Sequence, residues 1–458
     1  MPPEHERRGG RGYGRRVVAL RSRHDRAIAA LAVPSLGALL AEPLFLAVDT
    51  ALVGHLGADA LGGLSVAGTI LQTAVGLLIL LAYATTPVVA RRLGAGDRSG
   101  AAAAGVDGLW LAAGTGAVLA VAGALLGPAV IGLFGAAPQV DRLAAAYLAI
   151  AVWGLPGMLV VVAATGFLRG LRDARTPLLV AVAGFGANAG LNAGLVYGLG
   201  WGVRGSAAGT VAAQTAMAAV LVAVCVRHAR RAGVPLRPGP GGVLAAARAG
   251  GWLLLRTLTL RIAMVGTVVV ATGHGTVALG ATQIVLSLFA IVWLALDALA
   301  IAGQAMIGHA LGAADVAEAR EVLRRLLELA VVAGVALGAV VAALAPVVGH
   351  VFSADPAVLA AVPGGVLVMA AALPLGAVVF ALDGILIGAG DGRYLALAGV
   401  VNLAATLPLL ALVGATPLSP ATAVVAGQAV LGGAAMAVRC VTLGLRVRTG
   451  RWARVGTT

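Results

Sequence analysis

Lysine is absent from this chain, cysteine occurs only twice, and charged residues amount to 11% of the total. Each shortage excludes a class of protein. Soluble domains carry about 25% charged residues, so an ordinary water-soluble globule is ruled out. Cys225 and Cys440 stand near the ends of apolar segments without pairing or ligand spacing, so neither a disulfide framework nor a metal site is expected. The sequence also lacks a phosphate-cradling glycine motif, a nucleophile triad and the paired Asp-rich motifs that an intramembrane prenyltransferase needs. No enzyme activity and no cofactor is expected.

What the chain has in abundance is apolar length: 60% of its residues are hydrophobic and its mean hydropathy is +1.00. About 20 apolar residues cross a bilayer, and twelve segments qualify: 27–54, 60–90, 102–126, 143–168, 177–198, 205–227, 250–271, 277–308, 327–348, 358–388, 395–414 and 419–443. The predicted fold is an all-α polytopic membrane protein with the lipid bilayer as its partner. A net charge of +14 would suggest nucleic acid in a soluble chain. Here the arginines cluster at segment ends, so no nucleic-acid partner is expected. Arg91, Arg92, Arg98, Arg169, Arg172, Arg175, the 227–248 cluster, Arg320, Arg324, Arg325, Arg393 and the tail arginines all fall on one side, whereas the opposite loops hold only Arg142 and Arg204. The positive-inside rule then puts both termini in the cytoplasm and the chain in the cytoplasmic (inner) membrane.

An internal repeat organises the chain. At a constant shift of 218 residues, Gly57, Leu61 and Gly62 recur as Gly275, Leu279 and Gly280, and Leu93-Gly-Ala95 with Asp97 recurs as Leu311-Gly-Ala313 with Asp315. Pro128, Phe134, Pro138 and Pro156 recur as Pro346, Phe352, Pro356 and Pro374, while Gly170, Asp173 and Arg175 recur as Gly388, Asp391 and Arg393. A shift of 214 then pairs Asn188 with Asn402 and Gln214 with Gln428. Each repeat holds six segments, an even number, so the two lobes share one orientation, an arrangement found in secondary transporters. The expected organisation is a disordered basic arm (1–26), a first lobe (27–227), a cytoplasmic linker (228–249), a second lobe (250–445) and a basic tail (446–458).

Ionisable groups at bilayer depth are the candidates for chemistry, because each costs roughly 2.5–3.5 kcal/mol on insertion scales and persists only in protein-lined or wet surroundings. Glu42 and Asp49 are seven residues apart on the first segment, two helical turns, and share a face. Pro34 and Pro43 on the same segment remove backbone hydrogen bonds and supply kink points. Asn188 and Asn192 are candidates to line the same cavity as Asp49, opposite a small-residue ridge of Gly186, Gly190, Gly194 and Gly198 expected to pack against a neighbouring helix. In the second lobe, Asp297 and Asp383 are candidates to bind a cation or a proton. Arg256 is read as snorkelling to the surface, and Arg261 lies deeper, with no acid identifiable as its partner.

The run Glu42-Pro-Leu, Val48-Asp-Thr-Ala and Val53-Gly-His-Leu-Gly57 belongs to a larger set of motifs. With Leu93-Gly-Ala-Gly-Asp97, Arg169-Gly170 to Asp173, Gly200-Trp-Gly-Val to Gly205 and Asp383-Gly-Ile-Leu-Ile-Gly-Ala-Gly-Asp391, it resembles the multidrug and toxic compound extrusion (MATE) family, DinF-like branch, over residues 30–445. The resemblance implies two pseudo-symmetric six-helix lobes around a cleft, alternating access, and a monomer that exports cationic or amphipathic small molecules against inward H⁺ or Na⁺. It makes Asp49 the acid of the first helix and Asn188 the asparagine of the fifth. Asn192 stands where many DinF-like members have Asp, which removes one titratable group. Asp383 looks like the tenth-helix Asp of the NorM-like branch, whose seventh-helix acid has no match here, so H⁺ is favoured over Na⁺. The alternatives are a lipid-linked oligosaccharide or lipid flippase of the same superfamily, or another secondary carrier.

Overall fold

The computed structural model describes residues 23–456; most of the basic arm expected over 1–26 therefore lies outside the described residues. Twelve helical units follow one another. Helix α1 is Arg23–Gly54; α2 comes in two pieces, Ala58–Tyr83 and Thr85–Gly94; α3 is Arg98–Gly132 and α4 Pro138–Gly170. They are followed by α5 Arg175–Gly198, α6 Gly202–Arg231, α7 Pro240–Gly273, α8 Thr276–Gly312, α9 Val316–Phe352, α10 Pro356–Gly388, α11 Gly392–Ala415 and α12 Pro420–Arg448. Helices α3 to α12 are ten units long and apolar enough to cross a membrane, and α1 and α2 complete the expected twelve. No strand occurs among the described residues.

Local chemistry sets the helix ends. Pro138, Pro240, Pro356 and Pro420 open α4, α7, α10 and α12 at the first-turn position, where a missing N–H costs nothing. Asp97 caps α3 by accepting the Gly100 N–H at 2.7 Å, and its repeat partner Asp315 caps α9 by accepting the Glu318 N–H at 2.8 Å. The duplication extends into packing. Gly116 lets α3 lie on the backbone of Pro156, and Gly334 does the same for α9 on Pro374, both pairs related by the 218-residue shift.

Helices α1–α6 and α7–α12 form the two lobes, but α1 belongs to both. Its C-terminal half packs in the first lobe, whereas Ile28 and Leu31 near its start are buried in an apolar core built mainly from α8, α9 and α10. There His24 Nε2 meets Glu318 at 3.0 Å, and the Asp25 carboxylate takes both Nε and Nη2 of Arg325, at 2.6 and 2.8 Å. Pro34 and Pro43 lie in the stretch of α1 between the two attachments. The second piece of α2 crosses α8 at the same end of the molecule, backbone against backbone.

Two expectations are corrected, for the linker and for the glycine ridge on α5. The linker expected over 228–249 shrinks to residues 232–239, because the Arg-, Gly- and Ala-rich stretch on either side continues α6 and α7 as helix. This short connector is pinned to α3: Asp107 accepts the Gly239 N–H at 2.7 Å and Trp110 Nε1 donates to the Leu236 carbonyl at 2.9 Å. The basic tail packs against the body of the molecule. Trp452 is 2% exposed in the same apolar core, Arg91 Nη2 donates to the Arg454 carbonyl at 2.7 Å, and the Gly456 N–H donates to Leu311 at 3.2 Å. Finally, Gly186, Gly190, Gly194 and Gly198 of α5 meet no neighbour within 4 Å; the ridge faces outward, and the close packing occurs instead on the opposite, asparagine-bearing face.

Candidate functional site

The helices α5 and α6 approach closely because α6 carries the run Gly205-Ser-Ala-Ala-Gly-Thr210, with its small residues turned toward α5. A side-chain carbon on Gly205 would strike the α5 backbone at Leu195, and one on Gly209 would strike Asn192. That approach brings Asn192 and Ser206 onto Asp49, which is 2% exposed, and Tyr147 of α4 completes the shell. Ser206 donates its hydroxyl to Asp49 Oδ1 at 2.5 Å, Asn192 donates Nδ2 to the same oxygen at 2.9 Å, and the Tyr147 hydroxyl lies 3.5 Å from Oδ2. Asn188 accepts from Asn192 at 3.1 Å and donates to Thr210 at 3.2 Å. Just beyond Asn192, α5 widens into a π-helical turn over Gly194–Gly198, from which the Tyr197 hydroxyl reaches the Leu52 carbonyl of α1 at 2.5 Å.

Among the described residues, all of Asp49's hydrogen-bond partners are neutral. Hydroxyl groups both donate and accept, so this shell serves a carboxylate and, by rotation of Ser206 or Tyr147, a protonated acid. Among the described residues no cation pairs with Asp49, in contrast with the acid in the other lobe.

Asp383 of α10 is 3% exposed and held by two guanidiniums, Arg256 Nη2 of α7 at 2.6 Å and Arg439 Nη2 of α12. The expectation that Asp383 offers a free cation or proton site is thus corrected, as is the reading of Arg256 as a snorkelling residue. Both guanidiniums bind the same oxygen, Oδ2, and their two charges outweigh that of the carboxylate, so a further cation is repelled; Oδ1 makes no hydrogen bond with any described residue. Asp297 of α8, on the same wall, is half-buried and makes no side-chain hydrogen bond with any described residue. The side chain of Glu42 lies outside the described residues.

Between these two clusters the lobes enclose two adjoining cavities. One of about 470 Å³ is bordered by Asp49, Asn188 and Arg169; the other, of about 640 Å³, by Pro43, Arg256, Arg261, Asp297 and Asp383. Tyr147, Gln72, Thr210 and Gln214 line both, so the two are compartments of one cleft. Asp49, Asn188, Asn192, Asp297 and Asp383 all sit on or behind its walls, as does Pro43; Pro34 is half-buried higher on α1.

Sequence reasoning missed Tyr147, Ser206, Thr210 and Arg439. The spacing of Ser206 and Thr210, four apart and each next to a glycine, marks a polar stripe on a close-packed helix face. Arg439 lies within an apolar segment, where the rule applied to the acids would have singled it out.

A family model described as MatE matches residues 34–193 and 255–416, one block in each repeat. Protein DETOXIFICATION 44, chloroplastic, of Arabidopsis thaliana is 28% identical over 412 residues, which cover 87% of this chain and 77% of that protein. DNA damage-inducible protein F of Escherichia coli is 31% identical over 168 residues, 36% of this chain and 37% of the relative. Among solved structures, a MOP superfamily transporter from Pyrococcus furiosus superposes with a TM-score of 0.85 at 20% identity, covering 94% of this chain and 98% of the other.

Proposed function

The chain belongs to the MatE family, and from that premise we propose that it is a proton-coupled efflux transporter that carries amphipathic small molecules through the cleft between its lobes. The observation that supports this reading best is the course of α1. One end carries Asp49, wrapped in neutral hydrogen-bond partners; the other is tied to the opposite lobe through His24 and Asp25; two prolines separate them. A change in the proton occupancy of Asp49 alters its bonds to α4, α5 and α6, and α1 transmits that change to the seam between the lobes. A ligand shifts such an equilibrium only through different affinities for the two states, and Asp49 supplies that difference for a proton.

The surroundings of Asp49 favour H⁺ over Na⁺. A hard cation needs several converging oxygens, whereas Asn192 presents its NH₂ group to the carboxylate and Ser206 and Tyr147 their hydroxyl protons. The second candidate acid, Asp383, is neutralised by arginine. The arginine asymmetry supports a cytoplasmic location for both termini, so that the latched face is the inner one, and a monomer holds every residue invoked.

The test is transport in proteoliposomes under an imposed pH gradient, with wild type and Asp49→Asn compared at equal folded amounts. Export that follows the pH gradient in wild type and is lost in Asp49→Asn is the expected result. Export of equal rate in the variant, or export that follows Na⁺ alone, removes Asp49 from the mechanism.

A further inference from the structure

Arg261 is unusual for an arginine at this depth. It stands twelve residues before the end of α7 at Gly273, roughly 18 Å at 1.5 Å per residue, yet its side chain is exposed and borders the larger cavity. It reaches across the cleft: a side-chain carbon built on Gly76, in the opposite lobe, would lie 3.7 Å from Arg261 Nη2. No carboxylate of the described residues lies within ion-pair distance of it.

A charge inventory of this compartment leaves Arg261 in surplus. Arg256 and Arg439 share Asp383, and Asp297, the other acid among the described residues that border the cavity, lies in the field of Arg169 and Arg256. Each of these two carboxylates thus answers to guanidiniums other than Arg261. A cation buried in a membrane protein without a counter-ion is costly, and here the cleft keeps the guanidinium solvated until something replaces the water. The same cavity has an aromatic wall: Phe289, Trp293 and Phe380 form an edge-to-face stack with centroid separations of 5.1 and 4.8 Å, and all three line it together with Arg261.

We propose that the larger cavity takes an aromatic cargo bearing one anionic group, a carboxylate or sulfonate, which docks on Arg261 while the flat apolar body lies against the Phe289–Trp293–Phe380 wall. The guanidinium fork matches a carboxylate with two parallel hydrogen bonds. This inference rests on the cleft being the cargo site, and of the cationic or amphipathic cargo expected from the sequence it keeps the amphipathic class and drops the cationic one.

Fluorescence titration of the purified full chain with three dansyl probes tests it: dansylglycine, which carries a carboxylate; its neutral glycinamide; and the cationic dansylcadaverine. Wild type is expected to bind dansylglycine at least tenfold more tightly than either of the others. Arg261→Gln is expected to erase that preference, and Arg261→Lys to retain part of it, with melting temperatures matching wild type. Equal binding of the three probes, preference for the cation, binding of none, or an unaltered preference in Arg261→Gln overturns the proposal. Preference for the anion without pH-driven movement of dansylglycine in proteoliposomes would keep this inference and sink the export reading. Movement of dansylcadaverine driven by pH, with no preference for the anion, would do the reverse.

Discussion

Gly94 and Gly312 are each other's counterparts in the repeat, and each abuts the helix that carries the other: a side-chain carbon on Gly94 would overlap the His309 carbonyl, and one on Gly312 would overlap the Arg91 carbonyl. Arg91 and His309 are themselves related by the same shift of 218, so the crossing of α2 and α8 has an internal two-fold character. Both glycines are required by the approach of backbones and not by an unusual dihedral angle. Gly94→Ala and Gly312→Ala are therefore expected to part the lobes at this end without unfolding either one. Distances between spin labels on the ends of α3 and α9 should lengthen in both variants, and pH-driven export should fall at least tenfold; unchanged distances would mean that the crossing does not hold the face shut.

The Asp25–Arg325 pair joins α1 to α9 through two parallel hydrogen bonds. Partly exposed pairs of this kind contribute about 1 kcal/mol, which is roughly a fivefold change in a two-state population. Asp25→Asn is expected to move the same spin-label distances in the same direction as the glycine variants but to a smaller extent. The exchange Asp25→Arg with Arg325→Asp should recover part of the wild-type distribution.

Removing Asp383 leaves two buried guanidiniums without their shared counter-ion. Asp383→Asn is expected to destabilise the second lobe by about 3–5 kcal/mol, read as a lower melting temperature in detergent, whereas Arg439→Gln, which keeps the Asp383–Arg256 pair, is expected to cost less. Replacing all three of Asp383, Arg256 and Arg439 with apolar residues of similar volume should be far milder than Asp383→Asn. A mild effect of Asp383→Asn would show that the cluster is hydrated.

Asn192 gives Asp49 a neutral neighbour at 2.9 Å. Asn192→Asp places two carboxyl groups at that distance, and two like charges so close share a proton. The expected outcome is a second protonation step in the pH profile of export and more protons released per cargo bound. A single-step profile identical to wild type would mean that residue 192 plays no part in proton handling.

Outside the membrane, the carboxyl of Asp97 is held below its ordinary value, first by the Gly100 backbone N–H and then by the Ser99 hydroxyl. The group's pKa falls on folding, so its contribution is present above the unfolded value of about 3.9 and is lost as pH drops through the lower folded value. Thermal melts from pH 6 to pH 2.5 should show wild type losing an advantage over Asp97→Asn that it holds at pH 6.

Hydropathy and the repeat made the twelve helices and their pairing legible, since each depends on composition and spacing that a sequence displays directly. Asp49 was legible for the same reason: an acid in an apolar run announces its cost. Its shell was not, because Ser206, Thr210 and Tyr147 are ordinary residues until α5 and α6 close on each other over Gly205 and Gly209. Asp383 looked like a free acid because its partners come from α7 and α12, 127 and 56 residues away in the chain, and ion pairing across helices has no local signature. The glycine ridge on α5 misled in the other direction, since four-residue spacing marks a smooth face but not whether anything lies against it.

The shared ownership of α1 carries one more consequence. The eight-residue connector at 232–239 is where a duplicated gene would be cut, yet a cut there would not release two self-sufficient halves. The first fragment would carry Ile28 and Leu31 with nothing to cover them, and the second would have a hole where they belong and a displaced seat for Trp452 beside it. Co-expressed fragments should therefore find each other and reassemble, while either one made alone should be sticky and short-lived: ancestry divides this molecule at one place, and packing divides it at another.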